Sequence, residues 1–276
     1  MAQVTAAAVK SLRDRTGLPM MDCKRALQEA DGDEAVAVEH LRKAGKKTME
    51  KRAGRETSFG RVAVCADPEA GVGTIIELLC ESAPVTTNEE FMQLAADLAQ
   101  QLAQGPGAST PEELLAQPSP SRPDQPLQQQ FDDLTNRIRE VFRLARIARV
   151  DNSCGGYVHH DGSSGVLLEI EGGNADLAKD VCMHVAAMRP KVVSVEDLDP
   201  AEIAKEREIL SEAARTEGKP EKIVEKMVEG RLRNYYAQAC LTEQPFVKDD
   251  SQTVGRAAED ARMKILRFVH WELGKE

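Results

Sequence analysis

Proton transfer, nucleophilic attack and metal binding near neutral pH need a histidine, a thiol or paired carboxylates held against a partner, and this chain offers few such places. His159 and His160 are neighbours, so a regular strand turns them to opposite faces and they cannot chelate one ion together. His184 falls in a stretch with helical spacing, where packing or a surface contact accounts for it better than catalysis. Cys23, Cys65, Cys80, Cys154, Cys182 and Cys240 are scattered through apolar segments without close pairs, which reads as reduced cytoplasmic thiols rather than a disulfide framework or a zinc site. Gly45-Lys46 ends like a phosphate loop, yet the glycine needed five positions earlier is His40 and no strand precedes it. There is no Gly-x-Ser-x-Gly elbow and no cysteine–histidine signature. The residues therefore predict no catalytic group, no metal and no cofactor, and point to a protein that works by contact.

A contact protein needs a rigid place to present side chains, and the stretch 73–102 is built for that. Gly73 to Glu81 is β-branched and apolar and reads as a strand, whereas Phe91, Leu94, Ala95, Leu98 and Leu102 recur at helical steps. Between them lies a corner, Ser82-Ala83-Pro84-Val85. Pro84 has no amide hydrogen and biases Ala83 to an extended backbone, and Asn88 is placed to cap the helix, with Glu89 and Glu90 at its positive end.

The totals bound the partner. With 276 residues and 41% hydrophobic content the chain can fill more than one core, and a net charge of −10 with a pI near 5.2 argues against a direct nucleic-acid partner, because phosphate binding needs a basic face. No apolar run approaches membrane-spanning length and no signal core opens the chain, so a soluble cytoplasmic protein is expected.

Taken in order, residues 1–55 read as three short helices, the second starting after Pro19 and carrying Met20 and Met21 as core filler, the third closed by Gly45. The basic run from Arg42 to Arg55 reads as a solvated helix end and linker. Strand–strand–helix patterns then occur twice, in 56–150 and in 151–198, which predicts a duplicated core. The proline-rich insertion near 104–130 is expected to be exposed and mobile, and Leu134 to Ala145 to form one connecting helix. In 199–240, Gly218 and Pro220 punctuate a helical hairpin whose thin stripe, Ile203, Leu210, Ile223 and Met227, suits a projecting antiparallel coiled coil. The rest, 241–276, with an amphipathic stretch from Val254 to Trp271, reads as a helical module. The fold class is α+β: a three-helix module similar to ubiquitin-associated domains, a duplicated α/β core in two subdomains, a coiled coil and a C-terminal helical module. On the first module alone, an adaptor of the ubiquitin-associated type is the alternative function.

Several stretches in order carry a family resemblance. Leu12-Arg-Asp-Arg-Thr-Gly17 with Met20-Met-Asp-Cys-Lys-Arg-Ala-Leu27, Cys80 through Asn88-Glu-Glu-Phe91, Met183-His-Val-Ala-Ala187, Gly218-Lys-Pro220, Glu225-Lys-Met-Val-Glu-Gly-Arg231 and Gln244-Pro-Phe-Val-Lys248 resemble translation elongation factor Ts. The resemblance implies a guanine-nucleotide exchange factor that binds elongation factor Tu in its GDP-bound and nucleotide-free states and promotes GDP release by disturbing the Mg²⁺ and phosphate site. It further implies that Leu12, Arg13, Thr16, Gly17, Met20 and Met21 meet the partner's nucleotide-binding domain, and that His160, Gly165 and His184 meet another domain. It leaves pairing of two copies through the core open. The family's corner usually reads Thr-Asp-Phe-Val; here it is Ser82, Ala83, Pro84 and Val85, without the acid or the aromatic.

Overall fold

The computed structural model describes residues 4–216 and 221–275, without the side chains of 221 and 222. The first three helices are α1 (Ala6–Thr16), α2 (Met20–Glu29) and α3 (Glu34–Glu50), closed around Val9, Leu12, Cys23, Ala26, Leu27, Ala37 and Leu41. Their ends follow local chemistry. Thr5 Oγ1 accepts the Ala8 amide at 3.2 Å, Gly17 takes the left-handed conformation (φ 68°) that ends α1, and Asp33 Oδ1 accepts the Ala35 and Val36 amides at 2.8 and 3.0 Å.

Contrary to the sequence expectation, α3 does not stop at Gly45 but runs on to Glu50. Gly45 is a place of close approach: a Cβ there would lie 2.1 Å from Asn136 Oδ1. The basic run is likewise more than linker, because three of its arginines fasten the module to the core. Arg42 pairs with Asp133 (3.4 Å), Arg55 with Glu81 (2.9 Å), and Arg52 Nη1 donates to the Arg139 carbonyl (2.6 Å).

The core starts with β1 (Phe59–Asp67), β2 (Val72–Cys80), α4 (Glu89–Gln104), α5 (Pro111–Leu115), α6 (Leu127–Ile138) and β3 (Arg143–Val150). It continues through β4 (Cys154–Val158), β5 (Ser164–Gly172) and α7 (Ala175–Met188), the hairpin arms α8 (Pro200–Thr216) and α9 (Glu221–Ala239), a small ribbon of β6 (Pro245–Phe246) and β7 (Asp249–Thr253), α10 (Val254–Asp260) and β8 (Met263–Glu272). Two antiparallel sheets result, ordered β1-β2-β3 and β4-β5-β8. They pack face to face through Val62, Ile75 and Val150 of the first and Cys154 and Leu167 of the second. Gly165 and Gly156 permit the approach: a Cβ would stand 2.5 Å from Val62 Cγ1 at the one and 2.7 Å from Val64 Cγ1 at the other. α4, α5 and α6 cover the outer face of the first sheet, and α7 and α10 that of the second, so the core is layered helix, sheet, sheet, helix.

Three expectations are corrected. The connecting helix ends at Ile138, where Arg139 turns left-handed (φ 65°), and the residues beyond it form β3, whose Leu144 and Ile147 pack outward with α4 while Ala148 and Val150 face the second sheet. The proline-rich insertion is packed, with Leu114, Leu115 and Leu127 in the core. A buried carboxylate holds it: Asp97 accepts from Gln93 Nε2 (2.9 Å), Ser121 Oγ (2.5 Å) and Gln130 Nε2 (2.7 Å), and Ser119 Oγ donates to Gln130 Oε1 (2.7 Å). The C-terminal part is not a helical module, since Val254 to Trp271 divides into α10 and β8 and β8 completes the second sheet against β5. Ile265, Phe268 and Val269 fit helical steps in sequence, but an unpaired side of β5 is available and takes them as strand.

In the hairpin the buried stripe is Ala214, Val224, Val228 and Leu232 with Leu210 beside them, whereas Ile223 is exposed and Met227 half-buried. Ile203 at the start of α8 meets Ala239 and Tyr236 at the end of α9, so the arms run antiparallel. Gly218 and Pro220, read as the hairpin's turn, lie outside the described residues.

Candidate functional site

The corner after β2 is a single 3₁₀ turn, Ala83–Thr87, entered through an extended Ser82 (φ −130°) and left through Asn88, whose Oδ1 caps α4 by accepting the Glu90 and Phe91 amides at 3.0 and 3.1 Å. Proline sits in its first turn, where no amide hydrogen is needed. Val85 points inward and is buried among Phe91, Phe142 and Leu144, so it anchors the corner rather than offering an apolar contact. Ala83 and Pro84 are exposed and form its tip.

Hydrogen bonds from distant segments hold the turn from below. Ser82 donates through its amide (3.0 Å) and its hydroxyl (2.5 Å) to the two oxygens of Glu140. Glu81 accepts the Val141 amide at 2.7 Å and the Arg55 guanidinium at 2.9 Å. Burial works against that carboxylate, but the Val141 amide and Arg55 outweigh it and hold Glu81 below the usual carboxylate range. A folded-state pKa below the unfolded value gives stability that is complete above about pH 4.3 and lost as pH falls through the folded value. Glu81→Gln is therefore expected to flatten the acid limb of a melting-temperature profile and to converge with the native chain at the lowest pH; parallel profiles would count against it.

A clamp joins this corner to the other half of the core. Arg61 Nη1, on β1, donates to the Thr86 carbonyl of the corner (3.0 Å) and to the Asp161 carbonyl of the β4–β5 turn (3.4 Å). Gly162 (φ 77°) lies against the same guanidinium: a Cβ would be 2.7 Å from Arg61 Cζ and would push it aside, and the left-handed backbone favours glycine there. The Val62 amide donates to the Gly162 carbonyl at 2.8 Å. In that turn Asp161 accepts the Ser163 amide and hydroxyl and His159 Nδ1, and these bonds, the Ser163 amide first, hold its carboxyl far below the usual range. His159 and His160 do not point apart, because β4 has ended at Val158, and their rings lie 4.3 Å apart with His160 exposed. No group of side chains suited to a metal ion occurs among the described residues.

A family model described as Elongation factor TS matches residues 84–275. The chain belongs to the elongation factor Ts family. It is 38% identical over 275 residues to Elongation factor Ts of Thioalkalivibrio sulfidiphilus strain HL-EbGR7, covering 99% of this chain and 92% of that relative. It is 40% identical to the protein of that name from Alkalilimnicola ehrlichii and 39% identical to that from Methylococcus capsulatus, with the same coverage.

Against elongation factor Ts, the residues assigned by resemblance fall into two groups. Arg13, Gly17, Met20, Met21, Ala83, Pro84 and His160 are exposed, and Ser82 and Thr16 are half-buried, Thr16 Oγ1 donating to the Leu12 carbonyl at 2.7 Å. Met20 and Met21 are 48% and 66% exposed, so they are surface and not core filler. Leu12, Val85, Gly165 and His184 are buried. His184 has no side-chain surface to offer: its Nε2 meets Gln244 Oε1 at 2.8 Å and its Nδ1 accepts the Val247 amide at 3.3 Å, while burial lowers its pKa. Sequence reasoning passed over Arg61, Glu81 and Glu140, because none has a local partner. Their contacts reach 25 to 100 residues along the chain.

No helix of the described residues is long and apolar enough to cross a membrane.

Proposed function

We propose that the chain is a guanine-nucleotide exchange factor that promotes GDP release from elongation factor Tu during translation elongation. One observation beyond family membership supports this reading: the corner of the first half and the turn of the second are joined through Arg61 into one exposed surface, which suits work done by contact rather than by bond-making groups. Exchange needs none. It is a coupling between two ligands of one partner, so whatever free energy the factor uses to weaken nucleotide, nucleotide returns by weakening the factor. The protein accordingly binds nucleotide-free elongation factor Tu tightly and the GDP-bound form more weakly, which calorimetry against both forms measures; equal affinities would exclude the mechanism.

The N-terminal module docks on the partner's nucleotide-binding domain through Arg13, Gly17, Met20 and Met21, and the β4–β5 turn with His160 faces another domain. Gly165, Leu12 and His184 support these surfaces from within. At the corner, neither an acidic group nor a bulky wedge is available to disturb the Mg²⁺ and phosphate site directly. What Ala83 and Pro84 supply is a stiff turn of fixed position. Pro84→Gly keeps the exposed site free of new clashes and loosens the backbone. It is expected to slow GDP release from elongation factor Tu by about tenfold, equal to about 1.4 kcal/mol of differential binding. Unchanged release with an unchanged melting temperature would leave the corner no active part.

A further inference from the structure

Phe59 is an aromatic side chain left 44% exposed at the very start of β1, and among the described residues it makes no ring–ring contact. Its place is defined by the ladder. Phe59 stands opposite Cys80, the last residue of β2, so it flanks the strand end from which the corner departs. Side chains alternate along β1: Val62, Val64 and Ala66 face the second sheet, while Ala63 and Cys65 pack on the face covered by α4 and the corner. Phe59 and Arg61 belong to the second set, and Arg61 confirms that the corner lies on that side by donating to the Thr86 carbonyl. An exposed phenyl ring, the exposed tip Ala83-Pro84 and a guanidinium with no carboxylate within ion-pair distance among the described residues thus share one edge of the molecule.

We propose that Phe59 is the apolar anchor of the partner-facing surface: the ring enters a hydrophobic recess of the nucleotide-binding partner beside the corner, and Arg61 holds the corner and the β4–β5 turn in register with it. The inference rests on the exchange-factor reading and deepens it. Large aromatic side chains are where interface energy concentrates, because they bury much area at the cost of two side-chain torsions. A phenyl group left 44% exposed at a strand start realises only part of the burial it could gain, and a partner that covers it supplies the rest. The same reasoning assigns the corner a different part. It sets the position of the surface through Pro84 and the bonds to Glu140, while the neighbouring strand provides the bulk that Ala83 and Pro84 lack.

The test uses the full chain, with GDP-loaded elongation factor Tu for release and the nucleotide-free form for complex formation. Phe59→Ala is expected to raise the half-saturating concentration for GDP release at least tenfold with a melting temperature close to native, and Phe59→Trp to retain native exchange. The indole introduced by Phe59→Trp is expected to shift its emission to the blue on complex formation, read against the same titration of the native chain, whose one tryptophan is Trp271. Native exchange by Phe59→Ala, or an unshifted Phe59→Trp emission in a complex that calorimetry shows to be formed, overturns the inference alone. A native chain that fails to release GDP from elongation factor Tu overturns the functional reading and the inference with it. Should Phe59→Ala melt early, Phe59→Leu keeps the strand packing and is expected to show a smaller rise of the same sign; a native value there also overturns the proposal.

Discussion

Arg146→Met is expected to destabilise the protein by about 3 kcal/mol or more, because removing one partner of a buried ion pair leaves the other charge buried without compensation. Arg146 makes a two-point bond to Glu77, Nε to Oε2 at 2.8 Å and Nη2 to Oε1 at 2.9 Å, and Glu77 is only 4% exposed. Both residues lie on the face of the first sheet that meets the second, beside Ile75 and Ala148. From there the guanidinium reaches across: it stacks 4.6 Å from the centre of the Trp271 ring and donates to the Glu272 carbonyl at 3.4 Å. One side chain thus joins β2, β3 and β8. For a chain of this size the loss corresponds to a fall in melting temperature on the order of 10 °C. The double variant Arg146→Met with Glu77→Leu is expected to recover much of it, since a buried pair exchanged for apolar groups of similar volume is often neutral. Thermal melts of the three proteins decide the matter, and an Arg146→Met chain melting within about 2 °C of native would show that the pair is solvated and of little weight.

That pair also marks where sequence reading stops. Gly73 to Glu81 was legible as a strand from its β-branched run, and the helix after Asn88 from its cap and its spacing, because both signals are local. The two strand–strand–helix units were legible for the same reason. The third strand of each sheet was not. β3 begins five residues beyond α6 with apolar residues that continue a helical phase, and β8 joins β5 from almost a hundred residues away. Which edge is free to accept a strand is a property of the assembled sheet, and no pattern within Met263–Glu272 encodes it. The packed insertion was missed likewise: prolines and serines resemble a mobile loop until Asp97 on α4 supplies the buried acceptor that orders them. At the candidate surface, the corner and the methionines were visible as residue types, whereas their exposure was not. Val85 and Pro84 are adjacent in sequence, and only packing shows that one points in and the other out.

The largest effect on binding is expected from the double variant Met20→Asp with Met21→Asp, which should weaken the complex with nucleotide-free elongation factor Tu at least ~100-fold, about 2.7 kcal/mol. The side chains are well suited to a docking surface, since methionine is flexible, polarizable and adapts to the shape it meets. At 48% and 66% exposure they are not needed for the module's own core, which closes through Leu12, Cys23 and Leu27. The substitution is also safe for the fold. Both positions lie in the first turn of α2, where Asp22 already sits and where a carboxylate interacts favourably with the helix's positive end, worth about 0.3–1 kcal/mol. The isolated protein should therefore melt no lower than native. Buried in an interface the same carboxylates have to shed water with no cation assigned to receive them, so the cost appears only on binding. Calorimetry separates the two, and a complex weakened less than about threefold would place the contact elsewhere on the module. Val36, 39% exposed at the start of α3, is then the next apolar side chain to test, and Val36→Asp should weaken binding where the methionine pair did not.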